Sequence, residues 1–433
     1  MDPSHRRRRP RTATARRIAF ALALATSPLA LATSPLAAAQ TGSGVAYTLD
    51  SLIRLAHRES PALAAPRAEA LAVRAGITTA RAYPNPELLI GASSAGARIA
   101  GAPAGSGASF AISQRIEMPS LREARLQAAT AGAALADESV RVAENELAAE
   151  IKVRFFEVLR AQERVAAASE DLDLAEQIRD RIALRVSVGE APRFDLIRAE
   201  TETASAQSVL AQSRANLARR RTLLKALVSP ALDADYRLSA DFYRQLPAVD
   251  AAELRRSLEQ SNPLLRQARA DVERAREELA LERRSVMPGI DLFLAQERSP
   301  DLNTTRAGIA LRVPLVDRRA GPIEQAQRMV QRSAAVAEQR RFELQQQFEA
   351  AWQRYEAARA TAVALESGIL HQARRALSVA EAAYRFGERG IIEYLDAQRQ
   401  FRQLRNELID SRFETYAAEA DLERLAANTP AGE

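Results

Sequence analysis

Two different spacings of apolar residues alternate along the chain and predict two kinds of element. Over long stretches apolar residues recur every three or four positions, as at Leu147, Ile151, Phe155, Val158, Val165 and Leu172, and again at Phe401, Leu404, Leu408, Leu422 and Leu425. This narrow stripe is flanked by Arg, Glu and Gln, which is typical of long helices packed as coiled coils. A helix over 120–187 would be about 100 Å long, too long for an ordinary globular domain.

Shorter stretches alternate apolar and polar residues one by one, which predicts strands. Phe110, Ile112, Ile116 and Met118 alternate with Ser109, Ser113, Arg115 and Glu117, and Ala307, Ile309, Leu311 and Val313 alternate with Arg306, Gly308, Ala310 and Arg312. Four strands are predicted, over about 86–98, 107–118, 289–298 and 304–314. One apolar and one charged face suit a strand between lipid and a watery lumen, which about 9 to 11 residues can cross. The half-buried hairpin of a soluble domain would show the same alternation.

Proline and glycine mark the same layout twice along the chain. Pro61 and Pro263 are 202 residues apart, Pro86 and Pro288 are also 202 apart, and the interval between Gly189 and Gly387 is 198. We therefore predict an internal two-fold repeat, with a first unit at 40–247, a second at 248–428 and a tail at 429–433. The long helices are predicted at about 120–187 and 191–228 in the first unit and 320–385 and 391–427 in the second, and shorter helices at about 48–82 and 250–285.

The N-terminus is typical of an export signal. Seven arginines precede an apolar run over 18–36, and small residues follow before Gln40, which predicts a cleaved signal peptide over 1–39. A membrane anchor is the alternative, which the prolines and small residues disfavour. Subtracting the seven Arg and one acid of this segment from the 61 basic and 55 acidic residues of the chain leaves 54 of each. The predicted mature chain is neutral, so its charge gives no support for nucleic-acid binding.

Composition argues against an enzyme. The chain has no cysteine, which excludes disulfides, thiolate metal sites and a lipidated N-terminal Cys. Beyond residue 39 the only histidines are His57 and His371, and the only lysines of the chain are Lys152 and Lys225. No catalytic residue, cofactor site or metal site is predicted, and no stretch after the signal is as apolar as a membrane-spanning helix must be.

Four segments resemble the TolC-like outer membrane factors, or outer membrane efflux proteins. They are YPNPEL at 83–88, SQRIEMPSLREAR at 113–125, VPLVDRRAGPIEQA at 313–326 and FGERGIIEYLDAQRQ at 386–400. The resemblance covers essentially the whole chain after the signal and implies a mainly α protein with a small β part. In such a protein three copies share a twelve-stranded barrel in the outer membrane, and their long helices form a barrel through the periplasm. Four strands cannot close a barrel alone, since single-chain barrels begin at about eight, but only the resemblance selects a homotrimer among two, three or four copies.

The resemblance also implies a passive efflux duct and its partners. These are a periplasmic adaptor and an inner-membrane pump of the resistance-nodulation-division type, besides outer-membrane lipid. The first two sequence segments are most similar to the heavy-metal branch, which exports cobalt, zinc and cadmium or copper and silver. Drugs and other small molecules stay open as cargo, and a pore-less periplasmic coiled-coil adaptor is the alternative function.

The closed periplasmic end is where the resemblance assigns residue roles. The acidic ring of the gate corresponds to Glu393 and Asp396, which share a helix face because they are three positions apart. Three copies would bring six carboxylates together, which repels anions and favours cations. A basic latch residue corresponds to Arg389 and its acidic partner to Asp195, while Gly189 and Gly387 mark the tip turns. Charges at the starts of helices, where acids suit the helix dipole, would explain the same residues without a gate.

Overall fold

The described part of the chain is mainly helical, with a small antiparallel sheet. The computed structural model describes residues 46–95, 105–233 and 235–427, which lie in one compact unit. The predicted signal 1–39, the tail 429–433 and the first hairpin loop, within 96–104, lie outside these residues. The helices are α1 Leu49–Glu59, α2 Pro61–Arg81, α3 Pro119–Ser187, α4 Arg193–Val228, α5 Ala251–Ser261, α6 Pro263–Arg284, α7 Ala320–Ala364, α8 Leu370–Arg385 and α9 Ile391–Ala426. The strands are β1 Ala46–Tyr47, β2 Glu87–Ala95, β3 Gly105–Ile116, β4 Arg237–Leu238, β5 Gly289–Arg298 and β6 Asn303–Arg312.

Helix α3 is the longest element of the described chain, with 69 residues. Met118, expected at the end of a strand, is instead the extended residue that precedes the helix, and Pro119 occupies the first helical position. Proline suits this position because its missing N–H has no partner there and its φ is already helical. The central part of α3, over 147–161, is buried at most positions, including Leu147, Ile151 and Phe155.

The two shorter predicted helices are each broken into a pair. Ser60 and Asn262 adopt extended backbone conformations directly before Pro61 and Pro263. A residue before proline is pushed out of the helical region by the pyrrolidine ring. Each then caps the next helix: the Ser60 Oγ accepts a hydrogen bond from the Ala62 N–H at 3.3 Å, and the Asn262 Oδ1 accepts one from the Leu264 N–H at 2.9 Å. Proline therefore ends one helix and begins the next.

The helix predicted over 320–385 is interrupted by a π-helical turn at Leu365–Ile369. This turn separates α7 from α8 without ending the helical path. A π turn holds one residue more than an α turn, which changes the faces that the two flanking helices present. The apolar periodicity did not reveal it.

The larger sheet has the strand order β2-β3-β5-β6, with every neighbouring pair antiparallel. The register opposes Arg115 to Asp291 and Ile112 to Leu294. Because side chains alternate between faces, one face collects large apolar residues. These are Leu88, Ile90, Phe110, Ile112, Ile116, Leu292, Leu294, Ile309 and Leu311, and all of them are exposed. No helix of the described ranges is long and apolar enough to cross a membrane.

The main apolar core lies where α1, α3, α4 and α9 meet. Phe156 on α3 and Tyr416 on α9 stack with ring centroids 4.1 Å apart and an interplanar angle of 11°. The parallel pair β1 and β4, which the sequence pattern missed, lies beside this core, with Tyr47 opposite Leu238. Two-residue strands carry no readable alternation, so only the tertiary contacts define them.

Candidate functional site

Two helical hairpins, α3/α4 and α8/α9, turn in the same way at a shared end, which we call the tip. Gly189 and Gly387 have φ of 80° and 75°, a left-handed conformation that side chains with a Cβ rarely adopt. Glu190 N–H donates to the Arg185 carbonyl at 2.8 Å, and Glu388 N–H to the Ala383 carbonyl at 2.9 Å. Both glycines thus occupy the position that ends a helix and reverses the chain. The structure places both predicted turn glycines at this end.

A small apolar cluster joins the two hairpins on the core side of the turns. It consists of Ile178, Ile182, Ala199, Ile391, Tyr394 and Leu395, and we call it the tip cluster. The rings of Tyr384 and Tyr394 stack with centroids 5.9 Å apart, and the Arg185 guanidinium lies over the Tyr384 ring at 5.5 Å. Burial raises the pKa of Tyr394 to about 12; the charge of Glu381 adds to this shift and that of Arg181 opposes it. Tyr394 is therefore a neutral packing residue.

The predicted gate acids lie at the start of α9. Glu393 is in its first turn, and both Glu393 and Asp396 are exposed. Asp396 accepts a hydrogen bond from Arg399 at 3.1 Å, whereas Glu393 forms no ion pair within 4.0 Å in the described ranges. An acidic side chain in the first turn of a helix also interacts favourably with the positive end of the helix dipole.

The predicted latch residues do not meet within one chain. Across the residues that the structure describes, no ion pair joins Asp195, in the first turn of α4, to Arg389. Arg389 instead shares a groove of about 530 Å³ with Glu393, and this groove is lined further by Gln372, Arg375, Ala376, Val379, Ala380 and Ala383. The groove brings together one predicted latch residue and one predicted gate residue.

Ion pairs between helices continue above the tip, and sequence reasoning missed them. The Glu202 carboxylate on α4 accepts a hydrogen bond from Arg402 on α9. One turn further, Arg405 donates to Asp171 on α3 at 2.6 Å. Burial raises the pKa of Asp171, and the charge of Arg405 opposes the shift. Sequence alone gave no signal for these pairs, because long-range partners depend on how the helices are aligned.

The second face of the larger sheet is charged. Arg115 donates to Asp291 at 3.1 Å, Arg312 lies 3.9 Å from the same carboxylate, and Arg306 pairs with Glu297 at 2.9 Å. All five residues lie on the face opposite the apolar one, according to the register. The sheet thus separates an apolar surface from an ionic one.

The positions of the His, Asp and Glu side chains show whether a metal ion could be held. No group of three or more His, Asp or Glu side chains that could hold a metal ion occurs in 46–95, 105–233 or 235–427. His57 and His371 lie on α1 and α8, away from both the tip turns and the sheet. Long helical hairpins and a small sheet with one apolar and one ionic face define the structural class of this protein.

Comparison with known proteins gives this class a family. The outer membrane efflux protein family matches residues 52–229 and 254–428, and the chain belongs to it. The cobalt-zinc-cadmium resistance protein CzcC of Cupriavidus metallidurans is 28% identical over 386 residues, which cover 87% of this chain and 89% of CzcC. The chain is thus an outer-membrane efflux channel protein and not an enzyme, and the pore-less adaptor is not favoured.

Solved structures show the same fold. A structure of CusC has a TM-score of 0.74 and 18% identity, covering 88% of this chain and 92% of the other. The CmeC outer membrane channel of Campylobacter jejuni has a TM-score of 0.73 and 16% identity, covering 88% of this chain and 86% of the other. The mainly helical architecture with a small β part is therefore that of known outer membrane channels.

Proposed function

We propose that three copies of this chain form a passive exit duct, in which a shared twelve-stranded barrel crosses the outer membrane and the helices continue through the periplasm. The observation that carries this proposal is the uncovered apolar face of the four-stranded sheet, backed by the ionic face. An exposed apolar face that extends over four strands suits contact with lipid, and an ionic face suits a watery lumen. The outer strands β2 and β6 each have a partner on one side only within the chain, so other copies must complete the barrel.

The two halves of the chain would be repeats of one unit. The family matches the chain twice, over 52–229 and 254–428, and each match contains one strand hairpin and one long helical hairpin. We place the first unit at 40–247 and the second at 248–428, with export directed by segment 1–39. The absence of cysteine means that a lipid anchor on an N-terminal Cys has no place in this scheme.

The tip would be the gate of the duct. Glu393 and Asp396 would form the acidic ring, Asp195 and Arg389 the latch, and Gly189 and Gly387 the turns that position them. Since Asp195 and Arg389 do not pair within the chain, the latch would join neighbouring copies. An adaptor would dock on the helical ends, and an inner-membrane pump of the resistance-nodulation-division type would supply the energy.

Metal ions are the cargo that we propose. The basis is the 28% identity with CzcC, whose name assigns it to cobalt, zinc and cadmium resistance. An acidic gate suits cations, because carboxylates concentrate them and repel anions. Drugs are the second candidate, supported by the fold that the chain shares with channels such as CmeC.

Single-channel recording in planar bilayers tests the duct and its gate together. The wild-type protein is expected to form cation-selective pores, and Glu393→Ala combined with Asp396→Ala is expected to lower the cation-to-anion permeability ratio by about threefold or more. Glu356→Ala, an exposed acid on α7 outside the tip, is the control and should conduct like the wild type. Well-folded protein without pores would contradict the duct, and unchanged selectivity in the double variant would contradict the gate.

A further inference from the structure

Helix α9 changes abruptly from buried to exposed along its length. Its C-terminal part is buried from Leu408 onward at most positions, including Phe413, Tyr416 and Leu422. Between its start and residue 407, only Ile391, Tyr394, Leu395 and Gln398 are buried. Segments with few buried contacts open locally at lower free energy than the core. Within one chain, the tip half of α9 is therefore held less firmly than the rest.

On the other arm of the hairpin, burial changes at the same distance from the tip, where α7 gives way to α8. Helix α7 buries Tyr355 and Ala362 near its end, whereas α8 buries none of its 16 residues. The π-helical turn Leu365–Ile369 lies between the two helices, and its first residue, Leu365, is the last buried residue before α8. Helix α7 and the C-terminal part of α9 are thus well packed on the core side of this turn, whereas the α8/α9 hairpin is weakly packed on the tip side.

Arg412 lies near the point where α9 changes from mostly exposed to mostly buried. Its side chain is 1% exposed, and its guanidinium donates to the carbonyls of Phe242, at 3.2 Å, and Arg244, both in the segment that joins the two halves. A third donor, Nη1, reaches the Glu366 carboxylate of the π turn at 2.7 Å. One buried side chain therefore ties α9 to the joining segment and to the π turn.

The two side chains of this ion pair differ in their exposure to water. The Glu366 side chain is 47% exposed, so it can leave Arg412 and be hydrated at once. The Arg412 guanidinium would keep its two carbonyl partners and stay in place. A contact with one exposed partner that water can hydrate, next to a π turn, has the properties of a hinge.

We propose that the π turn Leu365–Ile369 and the Arg412–Glu366 pair form the pivot about which the tip hairpin α8/α9 tilts, a role that rests on the proposed gate. Above the pivot the helices stay packed on the core. Below it they depend on the tip cluster and on ion pairs such as Glu202–Arg402. The pivot would let the gate open without loosening the core.

Hydrogen exchange measured by mass spectrometry tests the pivot in the full-length protein. Glu366→Gln keeps the size of the side chain but removes its charge, and it is expected to speed exchange in α8 and in residues 391–407 by about threefold or more. Exchange in 320–360 and 413–426 should stay unchanged. Glu356→Gln, ten residues earlier on α7, is the matched control and should change neither region.

Two results would overturn the pivot. In one, Glu366→Gln leaves exchange in α8 unchanged; in the other, it speeds exchange equally above and below Arg412, as expected if the pair only supports the core. The measurement does not depend on a pore. A chain that exchanges as expected but conducts no ions would contradict the proposed function and not the pivot.

Discussion

Arg402 on α9 donates a hydrogen bond to the Glu202 carboxylate on α4, and each side chain is 18% exposed. Arg399 lies 3.8 Å from the same carboxylate. The tip half of α9 is therefore tied to its own α4 by an ionic contact that is largely shielded from water. Seven residues earlier on α4, Asp195 has no such partner on α9 in the described chain.

The latch is tested by reversing charges. Arg389→Asp should place like charges beside Asp195 of a neighbouring copy and raise the conductance of the resting channel in planar bilayers, and adding Asp195→Arg should restore the wild-type value. Arg385→Asp, on the exposed last turn of α8, is the control and should have a much smaller effect. A double variant as conductive as Arg389→Asp alone would count against the latch.

The two faces of the sheet predict opposite tolerances to charge. Ile309, 69% exposed on the apolar face, should not tolerate arginine: Ile309→Arg is expected to destabilise the protein in lipid by about 2–4 kcal/mol if it lies near the bilayer centre. Ala310→Arg, on the ionic face of the same strand, should cost much less. Urea unfolding in lipid vesicles measures both variants, and equal losses would contradict the assignment of the faces.

Stability should depend on pH through Glu419. Burial raises the pKa of this carboxyl, and the Lys152 ammonium, 3.4 Å away, opposes the shift. Because the folded-state pKa lies above the unfolded one, stability is lost as pH rises through it. Glu419→Gln removes a buried carboxylate whose Oε2 lies 3.4 Å from the Lys152 ammonium without a hydrogen bond, and it should raise the free energy of unfolding at pH 7 by about 1 kcal/mol.

The gain in the free energy of unfolding from Glu419→Gln should disappear below about pH 4, because residue 419 is then neutral in both the wild type and the variant. Glu423→Gln is the matched control, since Glu423 accepts the shorter Lys152 contact at 2.6 Å and its removal should destabilise the protein. Denaturant unfolding at both pH values provides the measurement. A loss of stability from Glu419→Gln at pH 7 would contradict this account.

The amino-acid sequence alone determines the local features of this protein, which are its helices, its strands and the apolar face of each. Alternating residues around Phe110 and Ile309 predicted strands with an apolar and a charged face, and the register places these residues as expected. Three-four spacing predicted the long helices, and the family match agrees with the resemblance that the motifs indicated. Such patterns are readable because each residue's face is set by the period of its own element.

Tertiary structure alone decided which distant residues meet. The pairing of Arg402 with Glu202, the burial of Arg412 and the π turn beside it depend on helix alignment. Dozens of Arg and acidic residues occupy similar helical positions, so sequence cannot select the pairs that form. The apolar pattern sets which face of a helix is buried, but the axial offset between helices comes from packing, and that offset fixes every contact from the core to the tip.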